Sequence, residues 1–186
     1  MGLYGSRACS ALFRFDGSPH SSAMKTNITP CLWFNTEAES AARFYTGIFK
    51  DSKITEISYY SDAGQEHHGH APGTVMTVAF ELKGQTFTAL NGGPCFKINE
   101  AISFQIGCET QDEIDYYWAR LTDGGPVEAQ QCGWVKDKFG VSWQIVPVIL
   151  TELLTDADTA KARRAMQAML QMRKLDIAAL RKAYEG

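Results

Sequence analysis

The chain has no surplus of positive charge. Its 186 residues include 18 Lys or Arg against 21 Asp or Glu, a net charge of −3. Binding duplex nucleic acid takes a basic footprint that displaces counterions, so the composition argues against that partner. Long hydrophobic runs are also lacking. The longest extend a few residues, far short of the roughly 20 needed to cross a bilayer, and no membrane partner is expected. Cysteine is sparse: Cys9, Cys31, Cys95, Cys108 and Cys132 make an odd count with no CxxC. That pattern speaks against a zinc ribbon and against a disulfide scaffold. Free thiols suit a reducing compartment, which predicts a cytoplasmic protein.

What is present is the composition of a folded domain. Hydrophobic residues make up 45% of the chain, and 21 residues are Phe, Trp or Tyr, too many for a disordered segment. Residues 1–26 stand apart. They carry Ser, Gly and Arg without a period and read as a flexible N-terminal extension, with a transit-type leader as the alternative. Organised sequence starts at residue 27.

Two stretches share one rhythm. Residues 28–49 and residues 102–121 each open with a strand-like run and continue as a helix. Ala41, Phe44, Tyr45 and Ile48 fall at i, i+3, i+4 and i+7 in the first helix. Ile114, Tyr117, Trp118 and Leu121 repeat that spacing in the second. Such a period places each set on one helical face. Thr36 and Thr110 precede acidic first turns and are expected as helix N-caps. Strands are predicted over 53–60, 74–82 and 85–90 after the first helix, and over 127–129, 133–136 and 141–146 after the second. Each module therefore reads βαβββ. The fold class is α+β: two such modules over residues 27–150 (27–93 and 99–148), followed by a helical segment over 151–186. In that segment Asp156 and Asp158 offer a capped start. Ala162, Met166, Met169 and Leu170 form an apolar stripe expected in the core or at a dimer contact.

The runs ITPCLWF (28–34), ARFY (42–45), GTVMTVAFEL (73–82), ALNGGPCFKINEAISFQ (89–105) and CGWVKDKFGVSWQIVP (132–147) resemble the PhnB-like family. That family is often labelled a 3-demethylubiquinone-9 3-methyltransferase domain. It is part of the glyoxalase/bleomycin-resistance/dioxygenase, or vicinal oxygen chelate, superfamily. The resemblance implies modules whose sheets curl into a cup, with helices outside and ligands inside. It also implies a homodimer, because superfamily members often pair across a two-fold.

In the metal-dependent members, His or Glu stands on the first and last strand of each module. Strand alternation places Thr29, Cys31, Ser103 and Gln105 on the cup side of the opening strands, with Ile28, Leu32, Ile102, Phe104 and Ile106 toward the helices. Matching Gly84 to Gly140 places Thr86, Thr88, Ser142 and Gln144 in the cup, with Phe87 and Trp143 packed outward. The ligand positions would then be Thr29, Thr88, Ser103 and Gln144, none of which is His, Asp or Glu. Divalent cations in such cups need anionic oxygen or imidazole nitrogen. No metal site and no cofactor are expected, a divalent metal being the minor alternative. The methyltransferase label finds no support, because NGGP (91–94) leads into no helix of the kind that binds a methyl donor.

Small-molecule binding is the expected function. The candidate binding residues are Cys31, Trp33, Thr88, Asn91, Ser103, Gln105, Trp134 and Gln144, which together describe aromatic walls with neutral hydrogen-bonding groups. The alternatives are a lyase, isomerase or dioxygenase, metal-dependent or metal-free, and an interaction module using the C-terminal helices. Asp137 and Cys132 are the candidate catalytic groups for a metal-free enzyme. Three histidines in QEHHGHAPG, His67, His68 and His70, are read as a solvated mobile loop with adventitious metal affinity.

Overall fold

A computed structural model describes residues 28–186, so the extension expected over residues 1–26 lies outside the described residues. The described chain divides into two compact units, residues 28–97 and 98–186.

The first unit runs β1 (Cys31–Phe34), α1 (Ala38–Ile48), β2 (Ser52–Tyr59), α2 (Gln65–His68), β3 (Val75–Leu82) and β4 (Gln85–Asn91). Its four strands are ordered β1-β4-β3-β2. β1 runs parallel to β4, with Cys31 opposite Thr88 and Trp33 opposite Leu90. Lys83 and Gly84 both take positive φ, so the β3–β4 hairpin closes in a two-residue turn matched to strand twist. Period-2 alternation sets the core. Val78, Phe80 and Leu82 from β3 meet Phe87 and Ala89 from β4 on one face, where α1 contributes Ala38, Ala41, Ala42, Tyr45 and Ile48.

Thr36 does not cap α1. Glu37 holds that position without a side-chain cap bond, and the amide oxygen of Asn91 accepts from Ala38 N instead, at 2.8 Å. The histidine segment has no buried residue, as a solvated segment should, but part of it is a short helix rather than a loop. The short helix α2 is bracketed by Gly64 and Gly69, both left-handed, and His68 and His70 lie against the Tyr60 ring at 4.6 and 4.4 Å between centroids.

The second unit runs β5 (Ser103–Cys108), α3 (Gln111–Leu121), a 3-10 turn (Val127–Ala129), β6 (Trp134–Lys136) and β7 (Ser142–Pro147). Three helices follow: α4 (Leu150–Leu154), α5 (Thr159–Leu170) and α6 (Ile177–Glu185). The strands are ordered β5-β7-β6. Thr110 caps α3 as expected, accepting from Glu113 N at 3.2 Å, while the Glu113 side chain reaches back to Thr110 N in a capping box. The strand expected over 127–129 is instead the 3-10 turn. Pro126 precedes it, its two internal bonds are i→i+3, and three apolar-leaning residues fit either form. Ile102 was expected to face the helices. It precedes β5 and is 71% exposed.

Asp158 caps α5 through Ala160 N and Lys161 N. Only part of the apolar stripe of α5 meets the core. Ala165 is the buried residue, packed with Leu150, Leu153, Leu175 and Leu180, while Met166 and Leu170 are exposed. Met169 and Met172 fill the edge of that small core. No helix among the described residues is long and apolar enough to cross a membrane.

Candidate functional site

In the second unit, alternation along β7 separates two faces. Trp143 and Ile145 are buried on one, with Val135 opposite Trp143. The other carries Ser142 and Gln144. Cross-strand register sets two rows on that face. Ser103, Ser142 and Lys136 form one, and Gln105, Gln144 and Trp134 form the next. Residues opposite each other on neighbouring strands are about 5 Å apart, close enough for their side chains to meet. Gln105 Nε2 donates to Gln144 Oε1 at 3.1 Å, and Gln144 Nε2 donates to Ser103 Oγ at 2.7 Å. Four of the sequence-predicted binding residues, Ser103, Gln105, Trp134 and Gln144, thus share one face, and three of them form one hydrogen-bonded chain.

In the first unit the corresponding face carries hydroxyls. Thr29 and Thr86 approach at 3.3 Å between Oγ1 atoms, and Ser58 Oγ and Thr77 Oγ1 at 2.6 Å. Cys31 and Thr88 are register partners there. Cys31 is an exposed residue, yet desolvation around its sulfur raises the thiol above its ordinary value, which disfavours a reactive thiolate.

The remaining candidates make contacts within their own units. Trp33 donates Nε1–H to Gly93 O at 2.8 Å and meets Phe96 edge-on at 4.9 Å, so its indole clamps the segment after β4. Asn91 is 7% exposed, and its amide bridges Ala38 N and Val75 O. Asp137 is 1% exposed. Its Oδ1 accepts from Phe139 N and Val141 N, and its Oδ2 from Trp143 Nε1 at 2.8 Å. These bonds close the turn into β7, and none of them aims the carboxylate at the Gln–Ser face. Cys132 has φ 49° and Gly133 φ 84° in a two-residue turn closed by Gln131 and Trp134. The amides of that turn donate to Met172 O and Arg173 O, both at 2.8 Å, which docks the α5–α6 connection.

Two residues of the Ser103 row escaped the sequence reading of candidate binders, Lys136 and Ser142. Lys136 lies two positions from Trp134 in the strand expected over 133–136, so alternation puts both on one face. Ser142 was placed in the cup without a role. It is 1% exposed, and its Oγ has no hydrogen-bond partner among the described residues. Lys136 Nζ is paired with the Glu100 carboxylate.

The donors at the four superfamily ligand positions do not suit a divalent metal. Thr29, Thr88, Ser103 and Gln144 are neutral, and Ser103 and Gln144 bond each other. Among the described residues no group of three or more His, Cys, Asp or Glu side chains is arranged to hold an ion. A methyl donor fares no better at Gly92-Gly93. The Trp33 ring fills the space beside Gly92, where an added Cβ would lie 2.2 Å from the indole. The chain beyond leads to β5 rather than into a helix.

Two sheets with flanking helices, the first in βαβββ order and the second in the same order with a 3-10 turn in place of one strand, define a glyoxalase-like α+β protein. The family profile described as 3-demethylubiquinone-9 3-methyltransferase matches residues 26–146, and the chain belongs to that PhnB-like family. A PhnB protein from Bacillus cereus, described under the same methyltransferase name, is 34% identical, with a TM-score of 0.57 over 65% of this chain and 98% of its own. A Pseudomonas aeruginosa protein is 18% identical, with a TM-score of 0.51 over 65% of this chain and 96% of its own, a likeness of fold. The fosfomycin resistance protein FosX from Listeria monocytogenes is 13% identical, with a TM-score of 0.48 over 72% and 99%. No curated protein matches.

Proposed function

We propose that this protein binds a small organic molecule on the polar sheet face of its second unit, without a metal at the usual superfamily positions. The observation that carries the reading is the Gln105–Gln144–Ser103 chain on a face shared with Trp134. Amides linked side by side hold each other in fixed orientation, and a rigid set of donors and acceptors loses little entropy when a ligand arrives. The aromatic ring in the same row offers a flat apolar contact. Metal-free acid–base catalysis draws no support from Asp137, whose carboxylate closes the turn into β7, or from Cys132, whose Sγ accepts from the neutral side-chain amide of Gln131 at 3.4 Å. Methyl transfer forms no part of the proposal, because Gly92-Gly93 leads to β5 rather than into a helix and the Trp33 ring fills the space beside Gly92.

The test is a screen of the full-length protein against planar metabolites by thermal shift, followed by NMR on the hits. Hits should perturb Gln105, Gln144 and Trp134, and Gln144→Leu should weaken them. A library without a binder overturns the reading. So does near-stoichiometric metal in protein purified without added metal or chelator, if it survives replacement of His67, His68 and His70.

A further inference from the structure

The upper row of the same face is chemically different from the lower one. Ser103, Ser142 and Lys136 stand side by side on β5, β7 and β6. Ser103 accepts from Gln144, which leaves its own O–H free to donate. Ser142 is buried, with a hydroxyl that has no partner among the described residues. Leaving such a group unsatisfied is unfavourable, so a buried orphan hydroxyl needs an explanation. Lys136 adds an ammonium at the end of the row, its side chain only 23% exposed. Three donors, one of them charged, therefore line one edge of the face.

The chain supplies its own stand-in for what these donors would bind. The Glu100 carboxylate sits on Lys136 Nζ, and Glu100 lies in the irregular segment that precedes β5. Its side chain is 60% exposed, so releasing it to water costs little. One ammonium matched by one carboxylate fits a singly charged anion.

We propose that the Ser103–Ser142–Lys136 row binds the carboxylate of a small organic acid, and that Glu100 is a built-in competitor displaced when the acid arrives. The inference rests on the small-molecule reading above and adds the charge of the ligand and its anchor. Trp134 lies two residues along β6 from Lys136, about 6.6 Å at strand spacing. An aromatic acid can thus place its carboxylate on the upper row and its ring over the lower one.

Benzoate and its neutral counterpart benzamide are the probes, titrated into full-length protein by calorimetry and by amide NMR. Benzoate should bind the wild type at least about tenfold tighter than benzamide, a difference suited to one desolvated charge pair. Lys136→Met should abolish that preference. Glu100→Gln should tighten benzoate about threefold or more, because removing an internal competitor raises the competent fraction. Thermal melts establish that both variants fold, and Glu100→Gln reports on the site even if Lys136→Met does not. Equal binding of the two probes, or benzoate binding unchanged by both substitutions, overturns the anion site and leaves the small-molecule reading standing. Absence of benzoate binding overturns the anion site too. The separate library screen then decides the parent reading.

Discussion

The amide oxygen of Asn91 accepts the backbone N–H of Ala38 at 2.8 Å, so the last residue of β4 caps a helix that begins 53 positions earlier. The same amide donates to Val75 O at 3.0 Å, and Tyr60 Oη donates to the Asn91 carbonyl at 2.6 Å. One buried side chain thereby ties α1, β3 and β4 together. Asn91→Ala should lose both bonds and leave a helix N–H and a strand carbonyl unpaired, at a cost of about 2–4 kcal/mol. Urea denaturation should show the midpoint falling with little change in slope. A loss under about half a kcal/mol would mean that the amide is dispensable to the fold.

Asp137 should behave as a structural residue. Its carboxylate takes two backbone N–H groups and the Trp143 indole N–H in a site closed to water. Asp137→Ala orphans all three donors and should destabilise by about 3 kcal/mol or more, hydrogen bonds to a charged group being the stronger kind. Asp137→Asn keeps one acceptor oxygen and should cost less. Ligand affinity per folded molecule should be unchanged in Asp137→Asn. A fall in affinity larger than the fall in stability would restore a role in binding or catalysis.

Sequence alternation was enough to find the two faces of each sheet. Val78, Phe80 and Leu82 recur every second residue, and the Gly84–Gly140 match brought Ser142 and Gln144 onto the face of Ser103 and Gln105. That worked because strand period is a local property. What failed was long-range or short. The cap on α1 comes from Asn91, which no local rule connects to Ala38. Val127–Ala129 is too short for propensity to separate strand from 3-10 turn. Of the α5 stripe, Met169 meets the core while Met166 and Leu170 face outward, and Ala165, which the stripe did not include, is the residue buried against Leu175 and Leu180. Tertiary fit overrode hydrophobicity there. Lys136 was visible in the alternation, but only its ion pair with Glu100 and its place beside Ser142 give it meaning.

Cys132 occupies a left-handed conformation that suits glycine or asparagine better than a thiol-bearing residue. Cys132→Gly relieves the steric cost of the side chain but frees the unfolded chain, so the net gain should be about 0.5–1 kcal/mol. Cys132→Val should destabilise by about 1 kcal/mol or more, because β-branching is poorly tolerated at positive φ. Thermal melts of the two variants should move in opposite directions. Loss of ligand binding in Cys132→Gly at full stability would point back to a working thiol.

Gly92 has no room for a side chain. A Cβ there would lie 2.2–2.4 Å from three carbons of the Trp33 indole. Gly92→Ala should push the ring aside and break its bond to Gly93 O, at a cost of about 1–3 kcal/mol. Tryptophan emission should shift to the red as the indole gains water. An unshifted spectrum would mean that the ring and strand adjust without parting.

The C-terminal helices should lose stability at both ends of the pH scale through one contact. Tyr184 Oη donates to Asp156 Oδ2 at 2.7 Å and closes α6 onto the start of α5. That hydrogen bond, aided by the Asp158 N–H, holds the Asp156 carboxyl below its ordinary value. The same bond pushes Tyr184 up to about 12. For Asp156, the folded form binds the proton less readily than the unfolded chain. Its stabilisation is present above the ordinary carboxylate range and is lost as pH falls through the lowered value. For Tyr184, the folded form keeps the proton more readily. Its stabilisation is complete below the ordinary tyrosine value and is lost as pH rises from there toward about 12. Tyr184→Phe removes the bond, so it should flatten both limbs while leaving the plateau between them broad. Burial raises Tyr60 and Tyr117 as well, so tyrosinate absorbance should show one more late-titrating group in the wild type than in the variant. Equal numbers of late-titrating groups in wild type and variant would mean that the Asp156 contact does not persist in solution, and the acid limb would then have to come from another carboxylate, with Asp115 and its Lys174 partner the first to test.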